Sequence, residues 1–320
     1  MDYGALVSRA WRLTWRHRFL WVLGLFAAST TGSCSGSPGG VQWQTDAQEV
    51  ERTLPELGRA LGEVGRWFAD NLALVVSLAV FAALLGLAFF VVSLIAQGAM
   101  ARATEDVARN RPTSLHQAWQ AGLRFFWRYL GLWLLLLAIG IAVLVMFGIL
   151  FLLFVAGSAA ADGVARTTFI VVLVLLGLAS FLVALPLLVG LTIVVAYAQR
   201  AIVVEDVGPW DALGVGVRLL RDRLGASLIV WLISLALGIG AAFALGLAAV
   251  LLLIPLGGIG ALLFLTTGVS AGSIAYAVVA GLVFIGAMWF LAAIVNTYFW
   301  HFWTLAYLDL RGYVPVGEVR

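Results

Sequence analysis

The residues whose chemistry could matter most are few, and they lie near the ends of apolar runs. There are three histidines, His17, His116 and His301. The first two fall in segments with the pattern of interfacial helices. His301 stands near the end of the last apolar stretch, close to Asn296 and Tyr298. A polar group of that kind inside a membrane segment serves either hydrogen bonding between helices or a ligand or proton site. Asn296, Tyr298 and His301 are therefore the candidate intramembrane polar cluster. The rest of the catalogue is empty. There is no His-Glu-x-x-His, no serine elbow and no Gly-rich phosphate loop with its lysine, since every basic residue in the chain is arginine. The single cysteine, Cys34, excludes an intrachain disulfide and a cysteine-based metal site. No catalytic, cofactor-binding or metal-ligating residue is expected, and no cofactor.

Arginine is the other residue type with a pattern. Arg9, Arg12 and Arg16 recur at helical spacing, as do Arg124 and Arg128, and Arg218 and Arg221. At about 100° per residue, each group falls on one side of a helix, opposite an apolar face. Val7, Trp11 and Trp15 oppose the first group. Leu115, Trp119, Leu123 and Phe126 oppose the second, which Gln117 and Gln120 join. Leu213, Leu220 and Leu224 oppose the third. Helices of this kind lie in the membrane interface with the cationic side toward headgroups. The seven arginines are candidate contacts for anionic lipid, and they also serve as topology anchors. Expected partners are membrane lipids, anionic ones included, and other membrane proteins. The net charge of +3, spread over separate segments, gives no footprint for nucleic acid.

The elements that must carry these residues follow from composition. Hydrophobic residues make up 63% of the chain and charged residues 11%, where a soluble domain averages about 45–50% and about 25%. Roughly 20 apolar residues of helix cross a bilayer core. Asn71–Ala101, Tyr129–Ala161 and Thr167–Gln199 each hold one span, and Leu224–Leu308, free of formal charge, holds two. Their break is expected between Leu253 and Ser273, where Pro255 and several glycines cluster. A sixth span, the first in order, is short: its strongly apolar part runs from Phe19 to Ala28. The fold expected is an all-α polytopic membrane protein, a single membrane domain over 1–320. Its six transmembrane helices form three pairs, each preceded by an amphipathic interfacial helix.

The pairs read as weak internal repeats over 1–101, 102–199 and 200–311. Trp15-Arg16 with Leu20-Trp21 matches Trp127-Arg128 with Leu132-Trp133, and Glu105-Asp106-Val107 matches Glu205-Asp206-Val207. Ser114 with Gln117, and Pro209 with Asp211, mark helix starts. The outer loop, 31–70, carries a Gly/Ser-rich linker and a short amphipathic helix from Thr53 to Phe68. Fifteen arginines fall on one side of this topology, and Arg52, Arg59, Arg66 and Arg166 on the other. That bias puts both termini in the cytoplasm of a bacterial inner membrane.

Three segments carry a resemblance: Arg200-Ala-Ile-Val-Val-Glu-Asp-Val-Gly-Pro-Trp-Asp-Ala-Leu, then Arg218-Leu-Leu-Arg221, then the closing Ala306-Tyr307-Leu308-Asp309-Leu310-Arg311. Together they resemble the bacterial six-span membrane-domain family named after the membrane region of glycerophosphoryl diester phosphodiesterase, and related uncharacterised integral membrane proteins. In the namesake the chemistry belongs to a separate soluble domain, so the resemblance carries over no catalytic residue. The functional expectation is a non-enzymatic scaffold or accessory protein. The alternative is a transporter or channel for an uncharged or lipid-like substrate.

Overall fold

A computed structural model describes residues 2–27, 70–109, 111–160, 163–268 and 270–313, and every regular element among them is α-helix. Asp2 caps the first, its carboxylate accepting from the Ala5 amide at 3.0 Å. That helix, α1, runs Tyr3–Arg16, and α2 follows at Leu20–Ala27. Five long helices come next: α3 (Leu72–Ala108), α4 (Leu115–Ala160), α5 (Val164–Val204), and, after the short α6 (Pro209–Asp222), α7 (Leu224–Thr267) and α8 (Ala271–Leu310). All five long helices are long and apolar enough to cross a membrane. At 37 to 46 residues each, and 1.5 Å per residue, they reach about 55–70 Å, roughly twice a bilayer core. Of the expected sixth span, the described residues include the eight of α2. The outer loop, 31–70, with Cys34 and the Thr53–Phe68 segment, lies outside the described residues except for Asp70.

The break between the last two spans falls at the far edge of the expected window. Pro255, Gly257, Gly258 and Gly260 all sit inside α7. Apolar surroundings favour keeping backbone groups paired within a helix, so proline and glycine are tolerated there. The chain turns where Gly268 adopts φ 62° and Ser270 opens α8 with a reciprocal cap. The Ser270 hydroxyl accepts from the Ser273 amide, and the Ser273 hydroxyl accepts from the Ser270 amide.

One element departs from the expected scheme. α1 and α6 are separate short helices, but the segment from Leu115 to Arg128 is the first part of α4, continuous through to Ala160. The physical reason is local. The first and third elbows end in Arg16-His17-Arg18 and Arg221-Asp222-Arg223, whose charges resist entering an apolar layer. The second reads Arg128-Tyr129-Leu130, and Tyr129 is fully buried, donating to the Gln199 carbonyl at 2.7 Å. With an apolar and satisfied residue at the corner, the helix runs straight on.

Packing is concentrated at one end. α3, α5 and α8 pack on one another, and α4 and α6 pack on α3 and α5 in turn. The helix that opens the chain, α1, packs on the one that closes it, α8. The contacts are close because small residues stand at the crossings. A Cβ on Gly122 of α4 would fall on the Ile95 carbonyl oxygen of α3, and one on Gly216 of α6 would stand 2.6 Å from the Val194 carbonyl oxygen of α5. Gly24 of α2 is held as tightly against Ala293 and Thr297 of α8. The buried core takes in Leu94–Ala108, Phe125–Leu132, Ile193–Val203 and Trp300–Leu308, with residues of α1, α2 and α6. Beyond it the long helices are largely exposed: Leu72–Leu87 of α3, the second half of α4, the first half of α5 and most of α7.

Candidate functional site

The buried polar groups lie at the same end as the core. Thr104 of α3 donates its hydroxyl proton to the Met100 carbonyl at 2.8 Å. Its oxygen also lies 2.8 Å from Nδ1 of His301 on α8. With the hydroxyl proton so directed, the ring carries its proton on Nδ1 and donates to Thr104. Nε2 is left a bare acceptor with no partner among the described residues. Two turns earlier on α3, Gln97 is fully buried, and neither of its amide atoms has a partner among the described residues.

Arg200 of α5 is the most unusual group here. It follows directly on the span expected to end at Gln199, yet it lies within α5 and is 4% exposed. Its guanidinium stands 4.3 Å from the Trp300 ring centroid. It donates to the Ala196 carbonyl at 2.8 Å and to Gln199 Oε1 at 3.0 Å. Among the described residues it makes no ion pair, so the indole face and two neutral oxygens stabilise the cation. The sequence signal was present: Gln199-Arg200 interrupts an apolar run that continues through Val204 without a turn residue.

A belt of ion pairs closes the same end. Glu105, 2% exposed, meets Arg102, Arg109 and Arg111 at 3.0 to 3.3 Å. Glu205 accepts from Arg311 and from the Tyr307 hydroxyl, tying α5 to α8. Asp206 takes a left-handed φ of 55°, a conformation that aspartate tolerates better than most residues. In that setting it meets Arg124 and Arg128 of α4.

The sequence-predicted residues are distributed differently from expectation. Asn296, Tyr298 and His301 do not form one cluster, because they leave α8 in different directions. Asn296 donates to the Gly24 carbonyl of α2 at 2.8 Å, and His301 meets Thr104 of α3. The Tyr298 ring packs among Trp11, Phe299 and Phe302, its hydroxyl without a partner among the described residues. Of the seven arginines, Arg9 is not on the headgroup side: it is buried and donates to the Ala108 carbonyl at 3.0 Å, capping the C-terminus of α3. Burial, then the neighbouring Arg12, lowers its pKa, and Asp309 opposes them. Arg124 and Arg128 are engaged by Asp206, whereas Arg12, Arg16, Arg218 and Arg221 are exposed and make no ion pair among the described residues.

What the site can do chemically is hold helices together. Among the described residues, no group of three or more His, Cys, Asp or Glu could hold a metal ion. No curated protein and no solved structure matches the chain. A family of unknown function, DUF7544, matches over residues 11–311, and the chain belongs to it.

Proposed function

We propose that this member of the DUF7544 family is a membrane scaffold or accessory protein: a packed base at one end, with apolar helices that offer their sides to neighbours in the bilayer. The observation that carries this reading is the segregation of burial. Buried contacts that join helices, such as Thr104 with His301 and Tyr129 with the Gln199 carbonyl, gather at one end, while no residue in the most apolar window of four of the five long helices is buried, and few in that of the fifth. The setting inferred is a bacterial inner membrane with both termini inside, since fifteen of the nineteen arginines fall on that side. The six-span expectation and the resemblance to the phosphodiesterase membrane region belong to this same proposal. Cysteines introduced at Asp70 and at Pro112 in a Cys34→Ser background should label from opposite sides of the membrane; labelling from one side refutes the topology.

The test of the scaffold reading is photo-crosslinking in native membranes from exposed outer positions such as Phe81, Leu178 and Phe243. Discrete, reproducible protein adducts at some of these sites are expected. Lipid adducts alone, with flux of an uncharged or lipidic solute in proteoliposomes, would favour the transport alternative. That alternative has one feature in its support: an apolar cleft of about 420 Å³ between α7 and α8, where Tyr276 bonds back to the Leu256 carbonyl and leaves an apolar lining.

A further inference from the structure

We propose that α1 is an anionic-phospholipid site built by Arg12, Arg16 and Arg18 beside Trp11 and Trp15, and that the equivalent arginines of α4 take no part in lipid binding. The surface of α1 divides into three sectors. Leu6, Arg9, Ala10 and Thr14 are buried against the bundle. Trp11 and Trp15 are exposed on one flank, ring against ring at 5.6 Å. Arg12 and Arg16 are exposed on the other flank, and Arg18 follows in the turn into α2. A helix that faces protein, acyl boundary and headgroups in three separate sectors lies along the interface, with the indoles at its apolar margin.

The occupant follows from charge. No ion pair engages Arg12, Arg16 or Arg18 among the described residues, and the one carboxylate on the helix, Asp2, caps its N-terminus. Three guanidiniums without a counter-ion among the described residues, next to two exposed indoles, fit a phosphate diester anchored by acyl chains. α4 supplies the contrast, because Asp206 occupies both Arg124 and Arg128. α6 is intermediate: Arg218 and Arg221 make no ion pair among the described residues, but Asp211 and Asp222 share the exposed side. The site stands whether the protein acts as a scaffold or a transporter.

The test is native mass spectrometry of the full-length protein with phosphatidylglycerol or phosphatidylcholine. R12Q/R16Q/R18Q should retain phosphatidylglycerol roughly tenfold less than wild type, given a gain near the surface worth roughly fivefold per arginine before screening. R124Q/R128Q should retain it as wild type does. Equal retention in wild type and the triple variant overturns the proposal, and so does an equal loss in the α4 pair. A measurement on wild type alone guards against misfolding. Retention of phosphatidylglycerol, and not of phosphatidylcholine, should fall as sodium chloride rises; no salt dependence overturns the proposal. Inorganic phosphate at matched ionic strength should displace no more lipid than sodium chloride does, and preferential displacement would make this a free-phosphate site instead.

Discussion

The two ends of the long helices obey different rules. At the packed end, small residues bring backbones together, glutamate and arginine pair, and several buried polar side chains, Thr104 and Tyr129 among them, reach partners on neighbouring helices. Gly98, Gly122, Thr104 and Glu105 all lie there. At the other end, a Cβ on Gly140, Gly148, Gly177 or Gly286 would meet nothing within 4 Å, and leucine, valine and phenylalanine project outward. The contrast shows where specificity resides. An apolar side chain gains little by leaving lipid for another helix, so apolar length alone does not fix which helices touch. Close backbone approach and directed hydrogen bonds do, and the packed end concentrates both.

The largest effect should come from adding volume at a crossing. Gly122→Ala places a methyl against the Ile95 carbonyl and should destabilise the detergent-solubilised protein by on the order of 3 kcal/mol. Gly177→Ala, in the open end, should leave the melting midpoint unchanged. Equal effects in a thermal melt would erase the distinction between the two ends. Next comes charge. Glu105→Gln removes the carboxylate shared by Arg102, Arg109 and Arg111 and should cost about 2 kcal/mol, less than a wholly buried pair because the arginines reach solvent. Asp206→Asn, at a side chain 52% exposed, should cost at most about 1 kcal/mol in the same assay. A reversed order would move the structural centre of the ion-pair belt from α3 to the α4–α5 contact.

A smaller effect isolates one hydrogen bond. Thr104→Val keeps the shape but leaves the His301 Nδ1 proton without an acceptor, a loss of about 1 kcal/mol. Thr266→Val, whose exposed hydroxyl bonds only within its own helix, should be silent. The smallest effect is pH-dependent. Burial, then Arg16, lowers the His17 pKa in the folded protein. The unfolded chain therefore binds the proton more readily, and this contribution to stability is present above about pH 6.5 and lost as pH falls below it. His17→Gln should remove that part of the dependence in melts across pH 5 to 7, and an unchanged profile would assign it to other groups.

Much of this was legible in the residues, for identifiable reasons. The helix starts at Leu115 and Pro209 are local chemistry within one turn: the Ser114 hydroxyl caps the Gln117 amide, and Pro209 opens α6 at its first position. The separate α1 and α6 could be read from amphipathic spacing, although the continuity of α4 could not. That depended on Tyr129 finding the Gln199 carbonyl seventy residues away. Arg9 misled for a similar reason. Its helical angle places it with Arg12 and Arg16, but it stands at the margin of the buried sector, where the end of α3 offers a carbonyl. The grouping of Asn296, Tyr298 and His301 failed because nearness along a helix is not nearness of side chains around it.

By itself the sequence determined the solvent of each segment: the apolar runs fix which stretches become membrane-length helices, and capping residues and glycines fix where they end. Those are short-range consequences of transfer free energy and backbone geometry. The tertiary structure alone decided which faces became interior. Lipid and leucine are alike apolar, so nothing in hydropathy distinguishes Leu94, fully buried, from Leu84, fully outward on the same helix. That choice was made by the glycine crossings and by the pairing of Thr104 with His301 and of Arg200 with Trp300, contacts between residues far apart in the chain.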